Sequence, residues 1–307
     1  MPGLECHLLG KLSIQKGEAA IFEFESRKAE ELLCYLLLNR ERPRPREALA
    51  EALWRGDSGQ QSKGYLRKAL WQLQTALDSL PDGAAEHLLL VEADWIRVNP
   101  RCELWLDVAV LEAAFGAVKG ISGRELSREQ ARQLEAATAL YRGDLLEGCY
   151  QDWCLLERQR LQFWYLAALD KLMDHSEAIQ DYERGLAYGE RVLRYDPARE
   201  RTHVRMMRLQ YLIGDRTAAL RQYELCRQAL RQELDVEPGG QTRQLYQQIR
   251  ADALAAKERP PSGEAAPDEA VMHAIHAHLG HFQNALGQLQ SEIREDIRSL
   301  ERALRKE

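Results

Sequence analysis

Two stretches of this chain fall on one another when the sequence is shifted by 34 residues. Asp181 lands on Asp215, Leu186 on Leu220 and Glu190 on Glu224, while Gly185 and Ala219 share a small position where two helices can approach closely. From Leu106 to about Lys257 every segment has apolar residues at three- and four-residue spacing, which is the signature of an amphipathic helix. Breaks fall near Gly120–Gly123, Gly143, Gly148, His175, Asp196-Pro197, Gly214-Asp215 and Pro238-Gly239. A single pair of such helices cannot bury its own apolar face. The pairs must therefore stack on their neighbours.

A 34-residue period of paired helices is that of tetratricopeptide-type repeats. The segment before them is different. Short apolar runs at Leu4–Leu9, Leu12–Ile14 and Ile21–Phe24, punctuated by Gly10 and Gly17, predict a small antiparallel sheet. Ser26 is placed to cap a helix whose inner face is Ala29, Leu32, Leu33, Leu36 and Leu37. After Pro43 and Pro45 a second helix is expected, with Ala48, Leu49, Ala52 and Leu53 inward. A third follows from about Gln61 to Leu80, stopped by Pro81-Asp82-Gly83. Leu88–Val91 and Trp95–Val98 then read as a hairpin. Sheet, three helices and hairpin is the order of a winged helix, in which the third helix enters the major groove and the hairpin is the wing. The fold class expected is mainly α: an N-terminal winged helix-turn-helix with a small sheet, helical repeats, and a C-terminal helix. The expected divisions are 1–102, 103–257, a linker at 258–268 and an amphipathic helix at 269–307. In that last segment Ile275, Leu279, Phe282, Leu286, Leu289 and Ile293 form a seam. It suits either a short coiled coil or a helix packing back on the repeats.

Composition excludes more than it selects. No run approaches the roughly 20 apolar residues of a membrane helix, and no secretory signal is visible at the start, so a cytoplasmic protein is expected. The six cysteines, at 6, 34, 102, 149, 154 and 226, form no CxxC pair and read as reduced, buried small hydrophobes. The net charge of −6 opposes nucleic-acid binding in bulk, and residues 1–100 hold 13 Lys/Arg against 15 Asp/Glu. A DNA reader therefore needs a local basic surface here. No GxSxG, HExxH or GxxxxGK[ST] motif occurs; no catalytic residues, cofactor or metal is expected, and the chain does not read as an enzyme. His273, His276, His278 and His281 are most simply flanking positions of the last helix.

The chain resembles the actinomycete antibiotic-regulatory type of transcriptional activator, which joins an OmpR-like winged helix to a bacterial transcriptional activator domain. The specific residues are Tyr141 to Gly148, Asp152-Trp153, Glu157-Arg158, Asp196-Pro197, Glu200, His203, Met206-Met207, Gly214 to Arg216, Ala218 to Leu220, Tyr223, Cys226, Leu230, Glu233-Leu234, Glu237-Pro238, Thr242 and Tyr246. The resemblance runs over roughly 4–250. It implies an activator that binds double-stranded DNA as a homodimer on repeated sites and recruits RNA polymerase, with the sigma subunit touched by the winged helix.

Within the third helix, Lys63, Arg67 and Lys68 are the candidate DNA contacts, and the Gln72 amide can pair with an adenine edge. The stretch Ala69–Leu77 has no arginine, unlike most relatives. Arg27 and Lys28 start the first helix, where backbone donors favour a phosphate. Arg42, Arg44 and Arg46 enter the second, and Arg97 lies in the second wing strand. The competing reading is a protein-interaction adaptor that uses the repeats, with DNA binding weak or lost. A basic surface shared by the third helix, Arg42–Arg46 and the wing separates the two.

Overall fold

The computed structural model describes residues 4–16, 19–20, 24, 26–55, 59–78 and 88–253. The expected linker, the C-terminal helix and the histidine cluster lie outside them. The first apolar run forms β1 (Leu4–His7), whose alternation buries Leu4 and Cys6. It pairs antiparallel with β2 (Ser13–Lys16), which pairs in turn with β3 (Ala19–Ala20). On its other edge β1 takes a parallel partner from a hundred residues away, β7 (Leu104–Leu106). That strand lies past the expected division at 102.

Helix α1 (Arg27–Leu38) buries Ala29, Leu32, Leu33, Leu36 and Leu37 as the spacing predicts. Ser26 stands at its N-cap in extended conformation, but its side chain makes no capping bond. Two-residue strand β4 (Arg44–Pro45) leads into α2 (Arg46–Leu53). There the inward residues are Leu49, Ala50 and Leu53; Ala48 is exposed and Ala50 takes the place expected for it. Helix α3 (Gly59–Asp78) buries Leu66, Ala69, Leu70, Leu73 and Leu77. The hairpin of β5 (Leu89–Val91) and β6 (Trp95–Val98) gains β4 as a third antiparallel strand, in the order β4-β6-β5.

The rest is helical. Helix α4 (Asp107–Ala117), a 3-10 turn at Gly123–Glu125 and α5 (Arg128–Ala139) precede the long α6 (Asp152–Ala178). Then come α7 (Tyr182–Tyr195), α8 (Glu200–Ile213), α9 (Arg216–Leu234) and α10 (Gly240–Arg250), each packed on the one before. His175, expected at a break, lies inside the last turn of α6. Aromatic residues fill the helix contacts: Tyr141 stacks on Tyr165 at 4.0 Å and Tyr223 on Tyr246 at 4.1 Å.

The 34-residue offset holds in three dimensions. Asp181 and Asp215 both cap their helices, accepting from the amides of Arg184 and Ala218, three residues on. Their own amides donate 2.9 Å bonds to the carbonyls of Ser176 and Gln210, again an equivalent pair. Gly185 and Ala219 are both buried. A Cβ on Gly185 would come within 2.9 Å of the Leu209 side chain, so the smaller residue is required at the tighter crossing.

The two halves share one compact body. The amide of Gly10 bonds the carbonyl of Asp144, and the amides of Leu146 and Glu147 bond the carbonyls of Leu8 and Gly10. The loop before α6 thus pairs with the turn after β1. Arg158 fixes that loop from behind, donating to the carbonyls of Leu145, Leu146 and Cys149 at 3.0, 3.0 and 2.9 Å.

The repeat also sets a matched pair of backbone positions. Gly214 (φ +94°) and Gln180 (φ +63°) are equivalent and both left-handed, a region that costs residues other than glycine roughly 1 kcal/mol. Nothing lies within 4 Å of a Cβ on Gly214, so the cost there is purely conformational. In denaturant unfolding, Gly214→Ala is expected to destabilise the protein by about 1 kcal/mol and Gln180→Gly to stabilise it by a similar or smaller amount.

Candidate nucleic-acid interface

The outer face of α3 follows from its inner one. With Leu66, Ala69, Leu70 and Leu73 buried, the exposed residues include Lys63, Tyr65, Arg67, Lys68, Trp71, Gln74, Thr75 and, at the end, Asp78. Gln72 is half-buried at the border. Arg67 and Lys68 make no hydrogen bond or ion pair among the described residues, which leaves both heads in solvent.

The wing reaches this face. Ile96 and Val98 are buried, so Trp95 and Arg97 project from the opposite side of β6. The amide of Arg46 bonds the carbonyl of Asp94 at 2.9 Å, which ties the start of α2 to the wing tip. Arg46, Lys63 and Arg67 consequently line one open hollow of about 530 Å³, together with Glu47, Asp94 and Trp95. Three of the predicted cations meet here, with two carboxylates beside them. The carboxylates were invisible as neighbours in the sequence, because Glu47 and Asp94 come from separate elements.

One of the pairings is direct. Lys63 Nζ donates to Glu47 Oε1 at 2.7 Å. That hydrogen bond, and then the charge of Lys63, holds the Glu47 carboxyl below its ordinary range. Both groups are exposed, so the pair adds little to stability. It does lower the positive potential that α3 offers to a phosphate.

The other predicted residues are distributed. Arg42 is exposed on the loop after α1. Arg44 lies over the Tyr35 ring, 6.0 Å from its centroid, and bonds Asn39. The Nε atoms of Arg44, Arg46 and Arg97 are buried without a hydrogen-bond partner among the described residues. Arg27 and Lys28 are engaged at the surface by partners within the chain. Arg27 Nη2 donates 2.8 Å to the Gly148 carbonyl, and Lys28 Nζ donates to Glu31 and to the Leu53 carbonyl at 2.7 and 3.0 Å. Lys28 also lies over the Trp54 ring at 5.6 Å.

Two features of the face stand out from the structure rather than from the sequence. Trp71 is 65% exposed, one turn beyond Arg67, and Trp95 is 44% exposed at the rim of the hollow. Buried tryptophan is the ordinary expectation. The period-2 register of β6 could have placed Trp95 outward, but Trp71 lies one residue from buried Leu70. Gly64, between Lys63 and Tyr65, has nothing within 4 Å of where a Cβ would be.

Residues 106–250 match the bacterial transcriptional activator domain family. No curated protein matches the chain. Among solved structures, Mycobacterium tuberculosis EmbR, determined in complex with a low-affinity phosphopeptide, superposes with a TM-score of 0.65 at 21% identity. The match covers 81% of this chain and 65% of that one, so the chain spans just under two thirds of the EmbR structure. At that identity the likeness is one of fold: the winged helix, and the helical domain behind it. The family match takes in just under half of the 307 residues, and the likeness to EmbR adds the fold of a winged helix with a helical domain behind it.

Proposed function

We propose that this chain is a transcriptional activator that binds double-stranded DNA through the outer face of α3 and the wing, with residues 1–102 as the reading head and 103–257 as the effector. The observation that carries the reading is the hollow where Arg46, Lys63 and Arg67 converge on the wing tip. A helix presented beside a wing suits a major groove flanked by its backbone. Arg67 and Lys68 have no competing partner among the described residues and meet the DNA first. Arg42, Arg44, Arg46 and Arg97 supply the surrounding positive charge for phosphates, and Gln72 and Trp71 border the base-reading positions. Arg27 and Lys28 hold the fold and act on DNA only through it. The protein recruits RNA polymerase, with the winged helix touching sigma and the effector helping to dimerise, from a homodimer on repeated sites in the cytoplasm.

The acidic wing tip favours a second reading. Glu92 and Asp94 are both exposed there, and Glu47 is paired to Lys63. A face of mixed charge fits a protein-interaction adaptor better than a strong DNA binder. The two readings separate on salt dependence. With DNA as the ligand, changing Arg67 and Lys68 together to alanine lowers affinity for all sequences and reduces the slope of log K against log salt by about 2. Genome-wide capture with the tagged protein then gives sharp peaks sharing a repeated motif, which the double variant loses. Absence of peaks under several growth conditions supports the adaptor.

Glu47→Gln removes a carboxylate from the face and frees Lys63. In a fluorescence-anisotropy titration it is expected to tighten DNA binding about two- to fivefold at low salt, with the gain shrinking as salt rises. An unchanged affinity would remove Lys63 from the contact set. Gly64→Ala is expected to stabilise the helix by about 0.5–1 kcal/mol in denaturant melts. The same variant is expected to weaken DNA binding, because the added methyl stands where the phosphate backbone approaches.

A further inference from the structure

The seam between the two halves holds a cluster of thiols that DNA binding does not use. Cys34 is buried on α1, Cys154 is buried in the first turn of α6, and Cys149 ends the loop that pairs with the turn after β1. Cys34 and Cys149 line a hollow of about 350 Å³ with Arg27, Glu31 and Trp153. This hollow is separate from the one beneath the wing.

Cys149 and Cys154 flank Gln151, the N-cap of α6. The Cys149 sulfur sits at the positive end of a 27-residue helix, beside the Gln151 amide and the Cys154 thiol, whose S–H also reaches the Leu145 carbonyl at 3.9 Å. Those donors bring the Cys149 thiol down to about 6, against its burial and the nearby Glu31 carboxylate. Cys154 goes the other way, pushed up by its bond to Cys149 and by burial. Cys34 is raised well above its ordinary value, chiefly by burial. The cluster thus sets a thiol with a lowered pKa beside one with a raised pKa, with an open hollow in front.

We propose that Cys149 is a hydroperoxide-reactive site and that Cys154 resolves it, closing a disulfide in the seam. In the first step the Cys149 thiolate attacks the terminal peroxide oxygen. The O–O bond breaks, an alcohol or water leaves with a proton, and Cys149 becomes a sulfenic acid. In the second, the Cys154 sulfur attacks the Cys149 sulfur; an S–S bond forms, the S–O bond breaks, and the hydroxyl leaves as water with the Cys154 proton. Two thiols are oxidised and one peroxide is reduced.

The position gives the chemistry a consequence. The Gly148 carbonyl, which receives Arg27, and the Cys149 carbonyl, which receives Arg158, border the reacting sulfur. A bond to Cys154 draws Cys149 toward α6 and strains both contacts. The site stands whether or not the chain binds DNA.

The test uses the full reduced chain and hydrogen peroxide, added at one equivalent and then quenched by alkylation. Peptide mass mapping is expected to find Cys149 and Cys154 joined, with Cys6, Cys34 and Cys226 alkylated, and dithiothreitol is expected to restore both thiols. Cys149 should react at least about tenfold faster than Cys226, a buried thiol pushed up to about 12. In Cys154→Ser, a cyclic 1,3-diketone is expected to trap the sulfenic acid at Cys149. Cys149 remaining alkylated while other cysteines oxidise overturns the proposal, as does a disulfide from Cys149 to Cys34. The mapping is done on the unaltered protein, so its outcome does not depend on whether a variant folds.

Discussion

The Asp107 carboxylate is the point on which the two halves of the chain depend. It is 1% exposed and accepts from the amides of Leu8, Leu9 and Val108 at 2.7–3.0 Å. Burial raises its pKa, while the three amides and His7, 4.0 Å away, pull against that rise. An anion can be kept in such a place only when its lone pairs are satisfied. Here the donors come from both sides of the junction. Val108 opens α4 of the activator domain, and Leu8 and Leu9 leave β1 of the winged helix.

Around that anchor the Tyr141–Gly148 loop finds its physical role. Leu146 (φ +48°) and Gly148 (φ +86°) are both left-handed, which turns the chain sharply enough to bring Glu147 against Gly10. A Cβ on Gly143 would collide with the Glu147 carboxylate and touch the Gly10 Cα at 3.4 Å, so the two bends pack closely. Tyr141 stacks on Tyr165 behind the loop, and Arg158 caps its carbonyls. The Tyr141–Gly148 motif therefore joins the two halves.

Local period made most of the fold legible in the sequence. The faces of α1 and α3, the wing strands and the 34-residue offset all repeat within a few turns of chain, so neighbouring residues report them. What escaped is long-range. Leu104–Leu106 is too short to show an alternation, and its status as a strand comes from β1. In α2, Ala48 and Ala50 are chemically identical, and only the tertiary contact decides which is buried. At the candidate interface, Lys63, Arg67 and Lys68 could be placed on the outer face of α3 from its inner residues alone. The partners of the charges could not: Lys63 meets Glu47, Arg27 meets Gly148, and Lys28 meets Leu53 across distances that no local pattern encodes.

The parallel pairing of β1 with β7 has a bearing on how such proteins can be cut and recombined. A fragment ending at residue 102 keeps the winged helix on paper but loses Leu104–Leu106 and Asp107. Strand β1 then becomes an open edge carrying Leu4 and Cys6, and the amides of Leu8 and Leu9 lose their acceptor. An apolar edge of that kind pairs with its like in another molecule. The smallest transferable reading head accordingly extends through the Tyr141–Gly148 loop, and a chimera built at that later junction carries its own seam with it.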